Sequence, residues 1–277
     1  MSGAVEKSLA ILEYLASCPE GATLAEIASQ SNQIGCHRAL GELIVLGYVH
    51  QSPRSGEYAL TTKLVSNALR YVSRSGVVDI AQPVIEGLAH TTKELVELAV
   101  VDGERLNVGA KAQGAKSGLN YVPDSGIDLR LSCSAAGQAW LMTLPEDIAI
   151  QYVSRQGIGI PEDYGPAAPT SVRALLRTLR EHRKRRFSII QDTYALGMSA
   201  LAAPIQRTGM PATGAIVIAG PSSRLTLTRM QEFGPALLAA ADELAAIGNA
   251  SPLLKSSNVG TWGSVAETLA GRGRRTS

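Results

Sequence analysis

The stretch from Cys36 to Leu60, CHRALGELIVLGYVHQSPRSGEYAL, narrows the possible folds more than any other part of the chain. Apolar residues recur at three- and four-residue steps up to Leu46 and stop at Gly47, a natural helix end because glycine reaches left-handed backbone angles without strain. Two short alternating segments follow, YVHQ and EYAL. They are joined by SPRSG, whose Pro, Ser and Gly favour a turn. A helix that runs into a small hairpin with an arginine at its tip is how a winged helix-turn-helix ends. The preceding residues supply the rest. Val5, Leu9, Leu12 and Leu15 form one face of a helix over 4–17, which Pro19-Glu20-Gly21 stops. Thr23 and Glu26 have capping-box spacing ahead of a second short helix, LAEIASQ. The third helix, from about Ile34, puts Cys36, Leu40 and Leu43 on one face with Ile44 at its margin, and Gly35, Arg38 and Glu42 on the other. Such a helix is placed to enter a major groove, with Arg54 at the hairpin tip along the neighbouring phosphates.

The remaining length argues for a second domain, since 277 residues exceed what this module needs. Thr61 or Thr62 caps a further amphipathic helix, KLVSNALRYVSRSG, which serves as a linker over 61–76. VVDIAQPVIEGLAHTTKE is again helical, with Pro83 giving a kink or a break. From Leu95 the period changes. LVELAVVDG and ERLNVGAKA flank Asp102-Gly103, a strong hairpin signal. DLRLSCS alternates and reads as a strand, and AAGQAWLM as a short helix. LPEDIAIQYVS and SVRALLRTLREHRKRR read as helices, and FSIIQD, ALAAPIQR and ATGAIVIAG as strands. A long helix, TRMQEFGPALLAAADELAAIG, closes the pattern. The expected organisation is a DNA-binding domain over 1–60, the linker over 61–76 and an α+β domain over 77–248. Residues 249–277 have little periodicity and read as a mobile tail.

Composition restricts function more by exclusion. With 45% hydrophobic and 18% charged residues the chain can bury a real core, and with 4% aromatics that core is built from Leu, Ile, Val and Ala. A net charge of +2 does not by itself argue for nucleic acid, and residues 1–75 hold six cations and six carboxylates. Attraction to DNA must therefore come from local placement. Three widely spaced cysteines, Cys18, Cys36 and Cys133, exclude a disulfide framework and read as small hydrophobes in a reducing cytoplasm. The N-terminus lacks the basic start of a signal peptide, and no window approaches the ~20 apolar residues of a membrane span, so a cytoplasmic protein without membrane association is expected. No cofactor and no enzyme activity are expected. The histidines His37, His50, His90 and His182 do not cluster in sequence, and His90 and His182 read as residues of polar helix faces. No Gly-x-Ser-x-Gly elbow is present. GAKAQGAKS at 109–117 departs from a phosphate-binding loop because Ala115 separates Gly114 from Lys116.

The ordered set VEKSLAILEYLA, TLAEIA, HRALGELIVLGYV, YALTTKLV, SAAGQAWL, ALAAPI and IVIAGPSSRLT resembles the isocitrate-lyase-regulator (IclR) family of bacterial transcription factors from about residue 4 to 248. The resemblance implies an N-terminal winged helix-turn-helix, a linker helix and a C-terminal GAF/PAS-like α+β effector-binding domain. It also implies homodimers or homotetramers that bind operator DNA and a small-molecule carboxylate effector. Gln33, Gly35, His37, Arg38, Arg54 and Ser55 are then the residues expected at DNA. Arg38 admits two readings, a contact to guanine edges or an ion pair with Glu42 one turn on. His37 either faces DNA or lies against the second helix. Where family members carry a Pro-Lys-Ser-Thr-Val-like run, SNQIGCHR is about two residues shorter.

In several family members a Gly-Ala pair at a helix start, an Asp, a Cys and two strand Ser bind small polar keto acids. The motif match puts Ala135 and Ala136 at the helix start, Ile190 at the Asp position, Ala200 at the Cys position, and Val217 and Ala219 at the Ser positions. Met198 joins the wall, and Asp192 and Ser134 are the polar groups nearby. The wall has lost donors and gained apolar surface, which implies an effector that is an aromatic or largely apolar carboxylic acid. The competing reading makes these residues ordinary core. A second functional reading is a small-molecule sensor or enzyme that has lost DNA binding.

Overall fold

The computed structural model describes residues 3–30, 35–116 and 129–248, with Ser251 and Leu254. It divides into two compact units, Met1–Arg74 and Ser75–Ser277.

In the first unit, α1 (Ala4–Ala16), α2 (Leu24–Gln30) and α3 (Cys36–Val45) precede a hairpin of β1 (Val49–Gln51) and β2 (Tyr58–Leu60), and α4 (Thr62–Ser75) follows. Ile11, Leu15, Ile27, Leu40 and Leu43 meet in one core, together with Val49 and Tyr58 of the hairpin. Each such side chain contributes roughly 1.5–3 kcal/mol by leaving water. The start of α2 is a reciprocal cap: Thr23 N–H donates to Glu26 Oε2 at 2.8 Å and Glu26 N–H to Thr23 Oγ1 at 3.3 Å. The Thr23 backbone N–H, and after it the Thr23 hydroxyl that donates to the same Oε2 at 2.8 Å, hold the Glu26 carboxyl below its usual pKa. The buried face of α3 is Cys36, Ala39, Leu40 and Leu43, while Ile44 is exposed. Ala39 completes the i, i+3, i+4, i+7 stripe begun at Cys36, and Ile44 falls one residue beyond it.

Gly47 ends α3 at φ +75°. Its N–H donates to Ile44 O and that of Tyr48 to Leu43 O, both at 2.9 Å, the paired bonds of a Schellman cap. Of the two threonines at the next helix start, Thr61 is the cap, accepting from Lys63 N–H at 3.2 Å. Thr61 also donates from its hydroxyl to Gly47 O, and Lys63 Nζ donates to Leu46 O, each at 2.6 Å. The Lys63 ammonium lies 4.7 Å from the centre of the Tyr48 ring. The end of α3 and the start of α4 are thus fastened together. Ala22, between α1 and α2, exchanges both backbone hydrogen bonds with Tyr58 and fixes the hairpin to the helices.

The second unit is α+β. Its elements are α5 (Val77–Thr92), β3 (Leu95–Asp102), β4 (Arg105–Gln113), α6 (Ala135–Leu141), α7 (Glu146–Gln156), α8 (Val172–Arg185), β5 (Ser188–Gln191), β6 (Met198–Ile205), β7 (Gly214–Pro221) and α9 (Leu227–Ile247). The strands form an antiparallel sheet in the order β4-β3-β7-β6-β5. Ala200, Ala202, Val217 and Ala219 join the core of α6 and α8, whereas their equally buried alternates Leu201, Ile216 and Ile218 do not. The sheet therefore carries α6 and α8 on one face and α5 and α9, which pack on its strands, on the other. Helix α5 runs unbroken through Pro83.

Two sequence expectations need correction here. Residues 129–134 of DLRLSCS are not a strand. Cys133 and Ser134 N–H both turn back to Arg130 O, and Leu131, Ser132, Cys133 and Ser134 are all buried. Alternation of residue type mimicked a strand in what is a tight turn feeding α6. The expected tail is not free of the domain at its start, since Ser251 and Leu254 are buried and Leu254 lies against Gly248. The rest of 249–277 lies outside the described residues. Among the described residues no helix is long and apolar enough to cross a membrane.

Candidate functional site

In the first unit, α3 and the hairpin tip present the residues expected at DNA. Gln33 lies outside the described residues. Gly35 sits at the start of α3 with φ +87°, an angle that favours glycine. His37 is exposed. The Arg38 side chain is 87% exposed, and its Nε donates to Glu42 Oε1 at 3.1 Å. This exposed pair is weak and leaves the guanidinium within reach of a partner. Arg54 and Ser55 are exposed at the tip, where Ser55 N–H donates to Ser52 Oγ at 3.2 Å.

In the second unit, the residues of the expected effector wall fall into register. Ile190 pairs with Ala200, Ala200 with Ala219, and Ala219 with Leu95, so one row crosses four strands. The next row is Ser188, Ala202, Val217 and Glu97. Helix α6 lies over these rows, and Ala135, Ala136, Ile190, Met198, Ala200, Val217 and Ala219 share one cluster. Ser188 Oγ donates to Ala135 O at 2.7 Å and anchors the start of α6 to the sheet. Ser134 is its N-cap, accepting from Gly137 N–H at 3.1 Å. Gly137 is required by close approach: a Cβ there would lie 2.4 Å from Leu131 O. Ile190 also borders a cavity of about 310 Å³ that Gln138, Pro169, Thr178 and Thr193 help to line.

Asp192 does different work from that expected. It follows β5 at φ +51°, and its Oδ1 accepts from Gly197 N–H at 2.7 Å and from Ser222 Oγ at 3.4 Å. Ser222 Oγ in turn accepts from Ser199, an alternate of Ala200 on β6. The carboxylate closes the β5–β6 loop and leans towards the opposite face from Ile190. Residues 109–113 of GAKAQGAKS are strand β4, and Ser117 lies outside the described residues.

His182 also departs from expectation. It is 2% exposed, its Nε2 accepts from Ile189 N–H at 3.4 Å, and Nδ1 has no partner among the described residues. Burial, reinforced by the nearby Arg185 charge, pulls its pKa down to about 4. Below the ordinary imidazole value of about 6.5, the unfolded chain takes up a proton that the folded one refuses. Stability from this group is complete above about pH 6.5 and is lost as pH falls towards 4, by up to about 3 kcal/mol. Chemical unfolding at pH 7 and pH 5 should show this loss in the wild type. A His182→Leu chain that kept the same slope would refute the assignment.

The model of the bacterial transcriptional regulator IclR C-terminal domain matches residues 69–246, and that of the IclR helix-turn-helix domain matches residues 4–33. The chain belongs to the IclR family. It is 28% identical over 241 residues to the transcriptional repressor IclR of Escherichia coli (strain K12), covering 86% of this chain and 87% of the repressor. The IclR-family fold recurs in a transcriptional regulator from Alicyclobacillus acidocaldarius, with a TM-score of 0.75 at 21% identity over 88% of this chain and 97% of that one. It recurs also in an IclR homologue from Microbacterium hydrocarbonoxydans complexed with 4-hydroxybenzoate, with a TM-score of 0.65 at 18% identity over 86% and 99%. The protein is thus an IclR-family DNA-binding transcriptional regulator with a C-terminal effector domain.

Sequence reasoning overlooked Glu97. Its signal was present: LVELAVV carries one carboxylate in an otherwise apolar run.

Proposed function

We propose that this regulator binds operator DNA through α3 and the hairpin, and that its second unit takes a small carboxylic acid, aromatic or largely apolar, which alters operator binding. The observation that carries the effector class is the row Ile190–Ala200–Ala219, a donor-free wall under α6. An aromatic ring gains by burial against it, whereas a small dicarboxylate would leave its second polar end unpaired. The 4-hydroxybenzoate bound by the Microbacterium homologue supports the same class. Val65 and Leu69 on α4 are exposed, which suits a homodimer or homotetramer that sets the spacing of two α3 helices on a palindromic site. A cytoplasmic location follows from that role.

Calorimetry with a panel of aromatic acids and keto acids tests the effector class. Binding of glyoxylate or pyruvate alone would overturn it. For the DNA contact, Arg38→Ala is expected to weaken operator binding by about 1–3 kcal/mol and to relax base preference. Arg54→Ala should weaken all sequences alike. Gel shifts on specific and scrambled DNA distinguish the two, and unchanged operator affinity in Arg38→Ala would remove α3 from the interface. If the wild type itself bound no upstream DNA, the protein would be a sensor without an operator.

A further inference from the structure

The apolar wall has one charged interruption. Glu97 pairs in register with Val217 on β7 and with Lys111 on β4. Ala99 and Val101, further along β3, belong to the α6 cluster. Strand side chains alternate, so Glu97 shares their face with Val217 and Ala219 rather than that of Val96 and Leu98. It is 8% exposed. Among the described residues its carboxylate takes no hydrogen bond and forms no ion pair, although the Lys111 charge acts on it. A carboxylate so largely withdrawn from water gains from a donor that meets it. A position that only needed filling would carry an aliphatic residue, as Val96, Leu98 and Val100 do on the same strand.

We infer that Glu97 reads the far end of the effector by accepting a hydrogen bond from a hydroxyl or amino group on its ring. This rests on the aromatic-acid reading above and narrows it to donor-bearing rings. The spacing agrees. Glu97 is one strand from Val217 and two from Ala202, and strands lie about 4.8 Å apart. A ring lying across Ala200, Ala219 and Val217 therefore ends within reach of the glutamate side chain. Burial raises the Glu97 pKa, with Lys111 opposing, and either protonation state leaves a carbonyl-type oxygen to accept.

The test is calorimetry of the full chain with benzoate, 4-methylbenzoate, 3- and 4-hydroxybenzoate and 4-aminobenzoate. The wild type should bind a hydroxyl- or amino-bearing acid at least roughly tenfold more tightly than 4-methylbenzoate. In Glu97→Leu that preference should vanish while 4-methylbenzoate binding persists or improves. Glu97→Gln, which keeps the shape and one acceptor, should retain only part of it, and serves as the decisive variant should Glu97→Leu fail to fold. If no member of the panel binds, the aromatic-acid reading falls, and this inference with it. If the panel binds but the wild type shows no such preference, or if the preference is unchanged in both variants, Glu97 is not the reader and the effector class stands.

Discussion

Arg224→Ala is expected to destabilise the second unit by about 3–5 kcal/mol, the cost of leaving a buried charge without its partner. The Arg224 guanidinium holds Glu94 through two bonds, Nε to Oε1 and Nη2 to Oε2, both at 2.6 Å. The Glu94 side chain is 1% exposed, whereas that of Arg224 is 30% exposed, so losing the arginine strands the carboxylate while losing the glutamate leaves a cation that water can reach. Glu94→Gln should therefore cost less than Arg224→Ala. A Cβ on Gly220 would lie 2.4 Å from Glu94 Oε2, so the strand carries glycine where the carboxylate passes. Urea unfolding followed by Trp140 fluorescence would measure the difference. A loss below about 1 kcal/mol, typical of an exposed pair, would show that the bidentate contact is not maintained in solution.

Ala200→Trp should abolish the effector response and leave operator affinity unchanged. Ala200 lies between Ile190 and Ala219 in the central row of the wall that a ring is proposed to cover. An indole there occupies that surface itself. Overpacking costs about 1–3 kcal/mol, so Ala200→Leu provides a graded companion that should weaken the response without unfolding the domain. Operator binding belongs to the first unit, which has its own core, and a gel shift without ligand controls for integrity. An intact response in the folded Ala200→Trp chain would put the effector elsewhere.

Much of this architecture was legible because local signals agreed with one another. LAEIASQ begins as its capping box requires, and Gly47 stops α3 where the apolar period stops. The row Ile190–Ala200–Ala219 was approachable from sequence because a strand fixes which side chains share a face. What failed was burial that period cannot report. His182 sits among arginines on a helix that looks polar, yet it points into the core beside Leu175 and Leu179. DLRLSCS alternates by chance, since Leu131 to Ser134 are buried through a turn and not through a sheet. Asp192 was placed by counting along a strand that had already ended, and a left-handed residue turns its carboxylate away.

The fastening between α3 and α4 has a mechanical consequence. Thr61 and Lys63 bond the carbonyls of Gly47 and Leu46, and Asn67 Nδ2 donates to the Tyr48 hydroxyl at 3.3 Å. The two helices are therefore geared without a slack joint. A roll of α4 about its own axis would pull on the carbonyls that end α3 and so is expected to change the pitch of α3. A turn of that one shaft is therefore expected to re-aim Arg38, with the hairpin held to the helices at Ala22.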